Sequence, residues 1–364
     1  METVRYRLID ICRGLAATSV LIWHYQHFFY PDAGVGLSPQ NRSTQPFYDI
    51  LWPLYEQGGL AVELFWVLSG FVFAATYLLR PTNGWTFFVN RLARLYPLHL
   101  LTLLLVALLQ YMSLQSLGHF QIYPFNDTYH FGLNLFMAQS WGLESGYSFN
   151  APTWSISVEV IIYAVFLACL PGLKKAPLRV AVFCIVAAAA LTIAGFNDMF
   201  VKCALFFFLG VACYTVLKRS AFIASGGAIL AIAGFVVSRW FRDGGLTLGE
   251  MSLLFSGMIL LAASLDTLLQ IRTTRMDWFG DATYGTYLLH IPIQIAAIAI
   301  LEYAGVSRVA LAVQPWFLPL YMVTVFGVAA VAFRMVEKPA QNALKTLLLS
   351  RLRRAIDLTP PQSA

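Results

Sequence analysis

Ten long apolar runs, near residues 8–28, 55–79, 97–117, 152–170, 178–195, 200–217, 221–239, 247–268, 282–302 and 314–336, decide what this chain can become. Each is long enough to cross roughly 30 Å of hydrocarbon as a helix. In lipid every backbone N–H and C=O must be satisfied inside the structure, which leaves helices or a closed barrel. The run lengths and the lack of period-two alternation select helices. The expected fold is an all-α membrane protein, a polytopic bundle of about ten transmembrane helices with both termini cytoplasmic. Residues 1–345 form one transmembrane domain. Residues 346–364 read as a basic, then Pro-containing cytoplasmic tail, expected to be disordered.

Hydrophobic residues make up 59% of the 364 and charged residues only 12%, about half the usual charged fraction, so no sizeable soluble domain is expected. The formal charge of +6 does not point to nucleic acid, because the basic residues are scattered over short loops. With the N-terminus inside, only Arg42, Lys202, Arg239, Arg242 and Arg308 of the 24 Lys and Arg fall outside. The inner set includes Arg80, Lys174, Lys175, Arg272, Arg275, Arg351, Arg353 and Arg354. That bias sets the orientation in the lipid bilayer. The first run continues past Trp23 without a small-residue cleavage site and is expected to be a retained helix. Cys12, Cys169, Cys184, Cys203 and Cys213 show no CxxC or His pairing, so they read as packing residues, with no disulfide framework and no metal site. Two longer outer connections, 29–54 and 118–151, are polar and aromatic; the second is long enough to suggest a role of its own.

Ionisable groups inside membrane helices are costly and mark candidate sites. Arg13 and His24 lie eleven positions apart, a rise of roughly 16 Å with about 20° of net rotation, so they share a face at different depths. The plainer account pairs Arg13 with Asp10 and leaves His24 as a polar tip at the interface. Glu63 lies in the outer half of the second run. Ser69, beside Gly70, falls on another face and reads first as a packing point. Arg91 and Arg94, at i,i+3 just before the third run, present two guanidinium forks suited to phosphate. Ser155, Glu159 and Tyr163 form one polar stripe at i,i+4, with Trp154 at its head. Tyr284, Tyr287 and His290 form another at i,i+3, followed by a potential kink at Pro292. Glu337 stands between Arg334 and Lys338, where a surface ion pair is the plain reading. Depth counting puts His24, Glu63 and Glu159 in the outer half. It puts Arg13, Arg91, Arg94, His290 and Glu337 in the inner half.

RGLAATSVLIWHY at 13–25 resembles the first-helix signature of the acyltransferase 3 family, membrane O-acyltransferases acting on sugars and related acceptors. GLAVELFWVLSGF, RLARLYP, PTWSISVE, YGTYLLH and VEKP follow in that family's order over nearly the whole chain. Glu63 stands where the family often has Asp, and Val160 where it often has a second Glu. The resemblance implies transfer of an acyl group, most often acetyl, from cytoplasmic acyl-CoA to a hydroxyl on the outer side. It makes His24 the catalytic histidine and assigns Arg13, Arg91, Arg94 and Glu337 to donor binding and the polar framework. On that footing His24 is expected to act as general base, oriented by Glu159 or Glu63. Trp154, Ser155, Tyr163, Ser69, Tyr284, Tyr287 and His290 are expected to line the cavity. No permanently bound cofactor is expected; acetyl-CoA is a substrate. The partners are acyl-CoA, a carbohydrate or glycolipid acceptor and the bilayer of a bacterial inner membrane, with the oligomeric state open. The competing class is a transporter or flippase for a glycan or glycolipid, but no internal repeat or paired broken helix supports it.

Overall fold

The computed structural model describes residues 5–271 and 277–357; among these all regular structure is helical and there is no strand. Arg272, Arg275 and the end of the tail lie outside the described residues, as do the side chains of Arg351, Arg353 and Arg354.

The first helix, α1, runs Arg7–His24 and passes into a 3-10 turn at Tyr25–Phe29. Next, α2 (Tyr48–Gln57), a 3-10 turn at Gly58–Leu60 and α3 (Ala61–Tyr77) form one continuous apolar rod. The 34-residue α4 (Gly84–Leu117) starts where the Asn83 side chain accepts from the Thr86 amide at 2.7 Å. It ends at Gly118, whose φ of 81° suits a residue without a Cβ. Arg91 and Arg94 are therefore inside this helix, not ahead of it. A short α5 (Thr128–Leu135) lies in the long connection and a 3-10 turn, Ala151–Thr153, opens α6 (Trp154–Lys175). There follow α7 (Pro177–Ile193), α8 (Met199–Arg219), α9 (Ala221–Phe241) and α10 (Leu248–Leu269). Side-chain caps from Asp198 and Ser220 start α8 and α9, and a Thr247–Glu250 capping box starts α10.

The chain closes with α11 (Asp277–Asp281), α12 (Thr283–Tyr303), α13 (Arg308–Ala312), α14 (Phe317–Ala332), a π-helical turn at Phe333–Glu337 and α15 (Lys338–Asp357). The tail expected to be disordered from residue 346 thus begins as helix, because the hydrogen-bonded ladder of α15 continues through that stretch. Among the described residues eight helices are long and apolar enough to cross a membrane. The apolar α7 has only 17 residues, and α1 carries Arg7, Asp10 and Arg13 within its 18 residues.

Close helix packing organises the bundle. A Cβ on Gly70 of α3 would lie 1.8 Å from the Phe207 carbonyl oxygen, and one on Gly210 of α8 would lie 1.9 Å from that of Val67. The two small residues let α3 and α8 meet backbone to backbone. Phe71, Phe73, Phe166, Phe206, Phe207 and Phe208 fill the main core beside them. A second core holds Tyr25, Phe28, Phe29, Leu318 and Tyr321. By contrast α9 leaves Phe222, Leu230, Trp240 and Phe241 exposed, as a helix facing lipid would.

Candidate active site

Arg13, Ser69, Arg91, Arg94, Ser155, Glu159, Tyr163, Tyr284 and Tyr287, all singled out by the sequence, line one cavity of about 250 Å³ between α1, α3, α4, α6 and α12. Its apolar wall includes Phe65, Trp66, Leu68, Val72 and Phe73. Such a mixture, mostly apolar with a few convergent polar groups, is what small-molecule sites present.

The three arginines are held in three ways. Arg13 lies 3.4 Å from Asp10, one helical turn back. Arg91 stacks its guanidinium over Phe73, 4.6 Å from the ring centroid, with Tyr77 at 5.6 Å. Arg94 pairs with Glu337 and also covers the Tyr284 ring at 5.2 Å. Glu337 is only 1% exposed, so the surface pair read from its neighbours Arg334 and Lys338 gives way to a buried pair across helices. Glu337 ends the π-helical turn Phe333–Glu337, a helix distortion found frequently at functional sites.

Neither glutamate expected beside His24 pairs with it, and Glu159, counted to the outer half, lines the cavity with Arg13, Arg91 and Arg94, counted to the inner half. Glu63 pairs with Lys202 of α8, which the α3–α8 contact brings alongside. Glu159 neighbours the Ser69 and Tyr163 hydroxyls and feels the charge of Arg91. Ser69 and Glu63 serve different partners, as their spacing predicts, and Ser69 belongs to the cavity as well as to the packing of α3.

Histidine surrounds His24 instead. Its Nδ1 is 3.0 Å from the Val20 carbonyl oxygen and 3.2 Å from Nε2 of His290. Both rings are buried. A carbonyl only accepts, so Nδ1 of His24 carries the proton and its Nε2 is left with a free lone pair. The Gln294 amide donates to the His24 carbonyl at 2.9 Å, and its oxygen accepts from His27 Nδ1 at 2.8 Å. His27 Nε2 in turn faces the Tyr123 hydroxyl at 3.3 Å. Sequence reading passed over His27 and Gln294. Their signal was there, since His27 lies three residues from His24 and Gln294 four from His290.

His290, placed in the inner half by helix counting, shares the depth of His24. Pro292 has no amide hydrogen to give the Leu288 carbonyl, four residues back. The Asn150 side chain takes that oxygen instead, at 2.8 Å. Tyr287 donates to the Pro152 carbonyl at 2.7 Å and lies 2.8 Å from Ser155 Oγ. The start of α6 is thus pinned beside the second turn of α12. Neither His24 nor His290, expected in the cavity wall, lines the cavity; Tyr287 does, with its ring centroid 6.0 Å from that of His290. Trp154, expected in the same cavity, instead meets Trp66 edge to face at 5.9 Å and lines a second pocket.

The family described as "Acyltransferase domain", acyltransferase 3, matches residues 6–334. The chain is 29% identical over 197 residues to "Acyltransferase MdmB" of Streptomyces mycarofaciens, covering 53% of this chain and 46% of that protein. It is 36% identical over 107 residues to "Protein 2 in picA locus" of Rhizobium radiobacter, covering 28% of this chain and 44% of that protein. The chain therefore spans a little under half the length of these curated relatives. No solved structure matches it. The family match takes in α1 with His24, the cavity arginines and both polar stripes, and on that extent the chain belongs to the acyltransferase 3 family.

Proposed function

We propose that this protein is a multi-pass O-acyltransferase of a bacterial inner membrane, with about ten spans and both termini in the cytoplasm. It moves an acyl group, acetyl first among the candidates, from cytoplasmic acyl-CoA to a hydroxyl of a carbohydrate or glycolipid on the outer side. The observation that carries this reading, within the family, is the 3.0 Å approach of His24 Nδ1 to the Val20 carbonyl oxygen. An imidazole with Nδ1 tied to a carbonyl and Nε2 free is the form a general base needs.

In this reading the coenzyme A phosphates dock against Arg91 and Arg94 with Arg13 beside them, since guanidinium forks match phosphate oxygens. The pantetheine arm follows the apolar wall at Phe65, Leu68 and Val72 and brings the thioester to the level of Tyr287. His24 Nε2 takes the proton of the acceptor hydroxyl as its oxygen attacks the thioester carbonyl. The tetrahedral adduct collapses, the C–S bond breaks, and the coenzyme A sulfur receives the proton. His290 orients His24, a role that neither Glu63 nor Glu159 is placed to take. Glu159, with Ser69 and Tyr163, balances the charge of Arg91.

The test is mass spectrometry of envelope glycans from cells with and without the gene, together with transfer of label from acetyl-CoA in membranes. An acyl mass that depends on the gene and on His24 is expected. Unchanged glycans with no label transfer would overturn the reading.

A further inference from the structure

A second cavity, of about 300 Å³, lies between the connection before α6 and the start of that helix. Gln139, Ser140, Ser145, Tyr147, Ser148 and Trp154 line it. We propose that this pocket holds the acceptor, a neutral polyhydroxylated ligand of the carbohydrate type. The inference rests on the acyl-transfer reading above and adds to it a place and a chemistry.

The lining sets the chemistry. No Lys or Arg lines this pocket, whereas three arginines line the other cavity. The one charged group, Glu144, turns its carboxylate to the amides of its own loop, accepting from Gly142 and Leu143 at 3.0 Å each. An anionic ligand would find nothing to neutralise it. Neutral hydrogen-bonding groups are plentiful. Gln139 is 6% exposed and spends its amide hydrogens on the Thr153 hydroxyl and carbonyl, at 2.8 and 3.1 Å, while its amide oxygen has no partner. Such an acceptor calls for a hydroxyl donor. Ser148 Oγ accepts from Asn134 at 2.9 Å and keeps its own proton to give. Trp154 and Tyr147 add aromatic surface, and amphipathic rings of this kind suit a ligand with both C–H and O–H faces.

Position ties the pocket to both halves of the reaction. On one side Trp154 abuts Trp66, which lines the donor cavity. On the other, the Tyr147 ring lies 6.1 Å from Tyr123, whose hydroxyl meets His27 at 3.3 Å, and His27 lies 5.0 Å from His24 between ring centroids. The pocket is thus one tryptophan pair away from the arginine cavity, and the rings of Tyr147, Tyr123 and His27 lead from it to His24.

The experiment uses the full chain in its host membrane and, purified, in nanodiscs. Gln139→Leu and Trp154→Ala are expected to lower the acyl mass on envelope glycans at least tenfold and to leave coenzyme A affinity within twofold. A second approach avoids any core substitution. Maleimide treatment of Ser145→Cys, at an exposed position, should lower acyl incorporation at least tenfold relative to the same variant untreated, while treated wild type is unaffected. Acylation at the wild-type level in all three cases overturns the pocket and leaves the enzyme standing. Parallel loss of coenzyme A binding also overturns it, because the substitutions then act on the donor side. Wild type that binds no coenzyme A and acylates nothing overturns the enzyme reading itself.

Discussion

His290 Nε2 lies 3.2 Å from His24 Nδ1, although 266 residues separate the two in sequence. Since Nδ1 of His24 also faces the Val20 carbonyl, its hydrogen is shared between two acceptors and the ring has little freedom to turn. In the proposed role as a base, a ring held this way would meet its substrate already ordered.

Replacing His24 with alanine should cut acyl transfer by about 10²–10⁴-fold, the usual worth of a general base, with the protein still folded in the membrane. In the proposed mechanism His290 acts through His24, so its effect should be smaller and confined to kcat. His290→Leu is expected to lower kcat about tenfold at unchanged donor KM, and His290→Gln, which keeps an acceptor, should restore part of it. Steady-state kinetics on membranes decide the matter; a rise in donor KM with kcat intact would remove His290 from this role.

Arg94 and Glu337 make opposite predictions for single and paired changes. Removing either alone leaves a buried charge uncompensated, at a cost of about 3–5 kcal/mol. Glu337→Ala should therefore lower the melting temperature steeply, while Arg94→Met with Glu337→Met should recover most of it without recovering coenzyme A affinity. Arg91 is held by aromatic rings, so Arg91→Met should weaken coenzyme A binding with little thermal penalty. Melting and binding titrations in nanodiscs separate these outcomes.

Glycine at the α3–α8 crossing gives a purely structural prediction. A methyl at Gly70 meets a backbone carbonyl at 1.8 Å, and backbone has no rotamer with which to yield. Gly70→Ala and Gly210→Ala should each destabilise the protein by about 1–3 kcal/mol or more. Retained thermal stability in both would mean that the helices can separate without cost.

Spacing made much of the cavity legible. Residues at i,i+3 or i,i+4 share a helix face whatever the helix packs against, which is why Tyr284, Tyr287 and His290, or Ser155, Glu159 and Tyr163, could be grouped. Depth was harder to read. Counting residues from loop ends assumes that each helix starts at the interface, and the 3.2 Å contact between His24 and His290 shows that two residues assigned to opposite halves in this way stand at one level. Partners between distant helices were not legible at all. Nothing local to Glu63 announces Lys202, 139 positions away, and nothing beside Glu337 announces the π-helical turn or the pairing with Arg94.

Acid should loosen the outer connection. Asp127 caps α5, accepting from the His130 amide at 2.9 Å, and that backbone N–H holds its carboxyl below the usual carboxylate range. A depressed carboxylate stabilises the folded state above its unfolded pKa of about 4, and the contribution is lost as pH falls below that. Amide protection in α5 should therefore drop below about pH 4 relative to α10, and Asp127→Asn, a cap without a charge, should flatten the profile. An unchanged acid response in that variant would assign the loosening elsewhere.

Glu63 and Glu159 provide the last separation, between a carboxylate that holds helices together and one that lines the arginine cavity. The Lys202 partner ties Glu63 to the α3–α8 contact, away from the histidines. Glu63→Gln should lower thermal stability and leave kcat and both KM values near wild type. Lys202→Met should do the same, and the double change should cost less than the sum, because the second removal no longer strands a charge. Glu159→Gln should do the reverse. Its carboxylate faces Arg91, Ser69 and Tyr163 in the cavity wall, so donor KM should shift while the melting temperature barely moves. If Glu63→Gln instead removed kcat with stability intact, Glu63 would return to the side of His24, and the Lys202 pair would be a resting contact that opens in the working enzyme.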